Sequence, residues 1–107
     1  MKDRIRFVVA LAVTMSVAGA VGFAQSAGEA TYKAKCQTCH GATGMADSAM
    51  GKATKTRPVT DLNVKKLTAA EMIAFTTNGK EMMKPFKDKL TDAEIKDAVS
   101  YFRTLIK

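Results

Sequence analysis

The sequence has no Trp, a single His, two Cys and two Pro in 107 residues. A zinc site that wants four protein ligands cannot be assembled from Cys36, Cys39 and His40 alone. There are no paired carboxylates in catalytic spacing, no Ser/His arrangement and no Gly-rich phosphate loop, so the usual hydrolytic and phosphoryl-transfer classes are excluded. The length excludes a TIM barrel or a two-domain dehydrogenase and allows one domain. No segment alternates apolar and polar residues with β-branched or aromatic enrichment, and no period repeats, so strands and solenoids are not expected. The chain is rich in charge of one sign, with Lys+Arg 17 against Asp+Glu 10 and a formal net charge of +7. Charged residues at 25% and hydrophobic residues at 47% are ordinary for a globular protein and argue against disorder.

The first residues carry Lys2, Arg4 and Arg6, and Phe7 to Ala24 then run without a charge. Gly22-Phe23-Ala24 ends that run with small residues two apart, the pattern of a signal-peptidase site before Gln25. An uncleaved anchor is the competing reading, because the run sits at the lower edge of what spans a bilayer. Export to the periplasm follows from either, and the cleaved signal is preferred. The expected organisation is a signal peptide over residues 1–24 and one domain over residues 25–107. That domain keeps a net charge of about +5. So small a domain usually requires a disulfide, a metal or a large cofactor to complete its core.

Three capping boxes mark helix starts: Ser26 with Glu29, Thr68 with Glu71, and Thr91 with Glu94. The first helix is expected from about Ala27 to about Cys36. The second should end at Asn78-Gly79, with Gly79 in the left-handed conformation that closes a helix. The third should run from Asp92 almost to the C-terminus, with Ile95, Ala98, Val99, Phe102, Leu105 and Ile106 along one stripe. Residues 41–66 read as loop with one short helix near Asp61–Lys66, and residues 80–90 as a second loop. The fold class is all-α.

Cys36-Gln37-Thr38-Cys39-His40 is C-x-x-C-H. At a helix end, two intervening residues let both thiols meet the vinyl groups on one edge of a porphyrin, and the next residue, His, is carried beneath the iron as an axial ligand. A thioredoxin-like pair would want a βαβ setting, and a structural disulfide would leave His40 without a role. Covalent haem c, one per chain, is preferred because it also supplies the missing core.

With this motif the sequence resembles the class I c-type cytochromes, the short bacterial and photosynthetic electron carriers. Gly28 and Tyr32 stand eight and four residues before Cys36, as a Gly and an aromatic do in that family. The resemblance implies a small cytochrome c fold in which the N- and C-terminal helices cross and helices and loops wrap one haem. It pairs Gly28 and Tyr32 with an aromatic of the last helix, Tyr101. It also implies a second axial ligand in the loop before that helix, where Met83-Lys84-Pro85-Phe86 resembles the family's segment. Aligning on the aromatic three residues after the ligand selects Met83, with Met82 as the second candidate. Lys84 departs from the commoner pattern, in which Pro directly follows the Met. Pro85 biases Lys84 toward an extended conformation, in which adjacent Met82 and Met83 would point to opposite sides. Phe86 would then shield the sulfur, while Met72 reads as packing and Met45 and Met50 follow His40 too closely to cross the ring.

Lys52, Lys55 and Arg57 are candidates to pair with haem propionates, and Pro58 or a neighbour to offer a carbonyl to the His40 N–H. With His40 and Met83 both on iron there is no open site and no free His base, so an enzyme is not expected. The implied function is single-electron carriage by a monomer whose basic charge suits redox partners with acidic docking patches. Nucleic acid is not an expected partner, because the lysines are dispersed, and neither is stable membrane insertion after cleavage. The alternatives are a haem-based sensor of small ligands and an electron-delivering subunit of a larger oxidoreductase.

Overall fold

A computed structural model describes residues 25–107. The signal peptide expected over residues 1–24 lies outside the described residues. Residue 25 is already helical, so Ser26 sits inside the first helix and does not cap it. Its intended partner Glu29 instead pairs with Lys33 at 2.9 Å, one turn on.

This first helix, α1, covers residues 25–40 and outlasts the end expected near Cys36. It does so through a widened π turn, Tyr32–Cys36, in which the Gln37 N–H reaches back five residues to the Tyr32 carbonyl. Such a turn takes in one extra residue without breaking the helix. A last regular turn, Gln37–His40, then ends at Gly41 with φ +81°. The Tyr32 hydroxyl donates to the Gly41 carbonyl at 2.5 Å and ties the helix end to its own middle. Burial raises the Tyr32 pKa far above the usual phenol range, so the hydroxyl stays a donor.

The expected loop over residues 41–66 holds two short helices rather than one. The first, α2 (Ala49–Ala53), is capped by Ser48, whose Oγ accepts from the Gly51 N–H at 3.0 Å. The same Oγ donates to the Thr38 carbonyl at 2.6 Å, inside the C-x-x-C-H segment. A Cβ on Gly51 would meet the Cys39 carbonyl oxygen and, at 2.7 Å, that of Ala46, so glycine is what lets α2 lie on the end of α1. The second, α3 (Leu62–Lys65), is the short helix expected near Asp61–Lys66, with Asp61 accepting from the Asn63 N–H at 2.7 Å.

The two longer helices are α4 (Ala69–Asn78) and α5 (Asp92–Thr104). Both begin with the expected capping boxes, Thr68–Glu71 and Thr91–Glu94, with each bond between 3.0 and 3.1 Å. The bonds from the capping threonines hold both carboxyls below the usual Glu range. The support they give is therefore present above that range and fades as pH falls through the depressed values. Helix α4 ends at Gly79 as expected, but with φ +81° and ψ 161°. That is an extended, essentially glycine-only region rather than the left-handed helical one, and it turns the chain sharply toward residues 80–83.

Helices α1 and α5 cross where Gly28 meets Asp97 and Tyr101. The Tyr32 ring lies 5.2 Å from that of Tyr101 and 6.2 Å from that of Phe102. The Gly–aromatic–aromatic contact is the one the resemblance implied. A Cβ on Gly28 would come within 2.8 Å of the Asp97 carbonyl carbon. Gly28→Ala must therefore push the helices apart, and a loss of about 1–3 kcal/mol is expected, read as a lower denaturant midpoint of the purified protein.

Ile95 and Val99 of α5 pack with Met72, Val64 and Leu90, edged by Phe86, Phe102 and Ile106. Met72 is thus core, as its place mid-helix suggested. This cluster is thin for a stable domain. The described residues contain no strand, only an isolated antiparallel bridge between Lys80 and Met83. No described helix is long and apolar enough to cross a membrane.

Candidate functional site

The thin core has a cavity beside it, with a wide part of about 730 Å³ and a smaller inner arm of about 140 Å³ lined by the buried Tyr32, Val64, Met72, Ala98 and Val99. The wide part falls within the range of cofactor pockets. Cys36, His40 and Met83 line both parts. Cys39 lines the wide part. Four residues singled out from the sequence therefore converge on one space.

Three pieces of backbone carry them there. The π turn ends at Cys36, and the final turn of α1 adds Cys39 and His40. The two thiols are not bonded to each other, and both are half-buried. Burial, aided by the neighbouring Cys39, pushes the Cys36 thiol up to about 11. The His40 ring stands edge-on to Phe102, with centroids 5.1 Å apart and planes at 65°. Burial lowers the His40 pKa and so favours the neutral imidazole, the form that can ligate a metal. Its Nδ1 is buried with no hydrogen-bond partner. The carbonyl expected from Pro58 is engaged elsewhere, accepting from the Asp61 N–H at 3.0 Å.

Met82 and Met83 lie in a turn over residues 80–83 and not in an extended segment, while residues 84–86 are neither helix nor turn. Lys80 and Met83 face each other through paired backbone bonds, Lys80 N–H to Met83 carbonyl at 3.0 Å and Met83 N–H to Lys80 carbonyl at 2.9 Å. Glu81 and Met82 form the corner, with Glu81 at φ +56°. Met82 at the tip is 55% exposed and reaches only the wide part of the cavity. The Phe86 N–H bonds the Thr76 carbonyl at 3.0 Å, and its ring lines the wide part. Met45 touches neither part, while Met50 lies at the mouth. Of the three basic candidates, Lys55 lines the wide part, Arg57 lines both, and Lys52 lines neither.

Phe75 and Phe102 also line the inner arm, a place that no motif in the sequence marks for them. Phe75 lies three residues after Met72 on α4, so helical spacing from Met72 could have pointed to it. Among the described residues no group of three His, Cys, Asp or Glu side chains is placed to hold a bare metal ion. A metal here would have to arrive within a larger ligand.

The family described as cytochrome c oxidase, cbb3-type, subunit III matches this chain over residues 23–102. The chain belongs to this family of c-type cytochrome domains. A solved structure, the KustC0563 c-type cytochrome, superposes with a TM-score of 0.68 at 34% identity, over 75% of this chain and 98% of that one. No curated relative matches the chain. The protein is therefore a small c-type cytochrome of the class I kind, and its all-α fold is the one the motif implied.

Membership implies covalently bound haem c, and the residues of this cytochrome fit it. Two unpaired thiols, a neutral imidazole with an unpartnered buried nitrogen, and a thioether all line one largely apolar cavity. Thioether bonds would consume both thiols, and the protein without its cofactor has an unfilled core.

Proposed function

We propose that this cytochrome is an exported monohaem carrier of single electrons, with haem c bound through Cys36 and Cys39 and its iron held by His40 and Met83. The observation that carries this reading is the convergence of all four side chains on one cavity. Bound haem supplies a one-electron couple, and a soft thioether opposite imidazole favours the ferrous form and raises the potential. The protein's part is to keep water from the ligands and to present one edge to partners. Met72, Phe75 and Phe102 wall the inner arm for the first task.

The second task falls to the mouth. Lys35, Lys55, Lys66, Lys80, Lys84 and Arg57 stand along the wide part of the cavity, with Glu81 as its one acidic residue. Met50 and Met82 add apolar surface among them, 49% and 55% exposed. A cationic rim of this kind suits a partner with an acidic patch and would steer its approach at low ionic strength. With the single His committed to iron and no open iron position, the protein would work as a carrier and not as an enzyme. The matched family description names an oxidase subunit, and this favours a second reading in which the domain delivers electrons within a larger complex.

Visible spectra of the oxidised and reduced protein, made with haem-ligation machinery in the periplasm, test the first reading. The expected result is a low-spin six-coordinate haem c with a sulfur-to-iron band, on a chain beginning near Gln25 and eluting as a monomer. A five-coordinate ferrous spectrum would replace the carrier with a ligand sensor. Co-elution of the native cytochrome with a large oxidoreductase would favour the subunit reading.

A further inference from the structure

Lys80 differs from the other lysines at the mouth. Its Nζ lies over the face of the Phe75 ring, 4.0 Å from the centroid. Phe75 in turn lines both parts of the cavity alongside Met83. The Lys80 backbone is joined to Met83 by two hydrogen bonds, at 3.0 and 2.9 Å. One residue thus connects the Met83 turn to the wall of the pocket that Met83 enters.

We infer that Lys80 is a positioning residue for Met83, acting as a clamp that fixes the 80–83 turn to helix α4 through the Phe75 ring. The inference rests on the proposed Met83 ligation.

The turn has reason to need fixing. Glu81 holds φ +56°, a conformation that costs a non-glycine residue energy and persists only where its surroundings impose it. The chain enters the turn through Gly79, whose N–H bonds the Phe75 carbonyl at 2.8 Å. A Cβ there would come within 2.8 Å of the Met83 carbonyl oxygen and 3.0 Å of the Pro85 nitrogen, so the turn is folded tightly back on its own entry. Beyond Met83 the next ties to α4 are the Phe86 and Lys87 N–H groups, bonded to the Thr76 and Thr77 carbonyls at 3.0 and 3.2 Å. Between Gly79 and Phe86 the cation on the ring is the side-chain contact that anchors the turn. Without it the strained corner can relax and carry Met83 away from the cavity.

Carbon monoxide provides the measurement, because it binds ferrous iron only where the sixth ligand has left. Lys80→Ala should raise the carbon monoxide affinity of the ferrous cytochrome about two- to fivefold, the worth of an exposed cation–π contact expressed as an equilibrium. It should also weaken the sulfur-to-iron band while leaving haem attachment intact. Lys80→Arg, which can keep a cation on the ring, should restore wild-type affinity. Phe75→Leu should raise the affinity as well, and adding Lys80→Ala to it should give no further rise. Met83→Ala is the reference for full loss of the ligand. If Lys80→Ala keeps wild-type affinity while Met83→Ala binds carbon monoxide tightly, the clamp is wrong and the ligand assignment stands. If Lys80→Ala lowers the melting temperature alone, the residue is merely structural and the inference fails. If Met83→Ala itself behaves as wild type, the ligand assignment fails and takes the clamp with it.

Discussion

Met83→Ala is expected to abolish the sulfur-to-iron band of the oxidised cytochrome, lower its reduction potential and open ferrous iron to carbon monoxide. Met82→Ala should leave all three nearly unchanged. The contrast follows from the turn at residues 80–83. Met83 sits at its base, half-buried, and lines the inner arm beside His40. Met82 sits at its corner, 55% exposed, and reaches only the wide part. Axial ligation moves haem potentials over a span of about 0.8 V, so exchanging a thioether for water or a vacant position is among the largest changes one substitution can produce. Potentiometric titration and carbon monoxide difference spectra of the two variants check the prediction. A reversed pattern would make Met82 the ligand and place the family alignment on Phe86 one residue out of register.

The second large effect is expected at the thiols. Cys36→Ser or Cys39→Ser should sharply reduce the yield of holoprotein, and the double variant should release all its haem on acid–acetone extraction. In wild type one haem should survive that extraction and appear in the intact mass. The reason lies in the core as much as in the chemistry. The buried cluster of Val64, Met72, Leu90, Ile95 and Val99 flanks a cavity and does not fill it. A core in a domain of this size rarely supplies more than about 3–5 kcal/mol. Filling the cavity is therefore part of folding, and weakening the attachment weakens the fold. Haem lost from wild-type protein under acid–acetone would overturn covalent binding.

Those groups could be found in the sequence because their chemistry is local. C-x-x-C-H fixes the separation of two thiols and an imidazole within little more than one helical turn, whatever lies elsewhere in the chain. The Thr68 and Thr91 capping boxes are equally local, since each joins a side chain to backbone three residues away, and both formed as expected. The periodic stripe of the last helix placed Ile95, Ala98 and Val99 in the interior for the same reason. Gly28 and Tyr32 drew their meaning from spacing to the motif, and the helix crossing at Tyr101 agrees with it.

Tertiary structure decided what spacing cannot express. The Ser26–Glu29 pattern is as good a box as the other two, yet residue 25 is already helical, so the signal lies within a helix instead of starting one. Helix α2 exists because Gly51 lets it rest on the Cys39 carbonyl, a contact between segments that shares no local pattern. The Pro58 carbonyl accepts from the Asp61 N–H and the His40 Nδ1 has no partner, while Lys55 and Arg57, but not Lys52, line the cavity. The turn at residues 80–83 closes through the paired Lys80 and Met83 bonds, ahead of the Lys84 that Pro85 biases toward extension. The sequence by itself determined which groups are candidates for the chemistry and which helices hold them, because those signals act over a few residues of one segment. The placing of Met83, the cavity walls and the Lys80 contact with Phe75 arise only where separate segments meet, because their hydrogen bonds and packing depend on distances that no stretch of chain encodes alone.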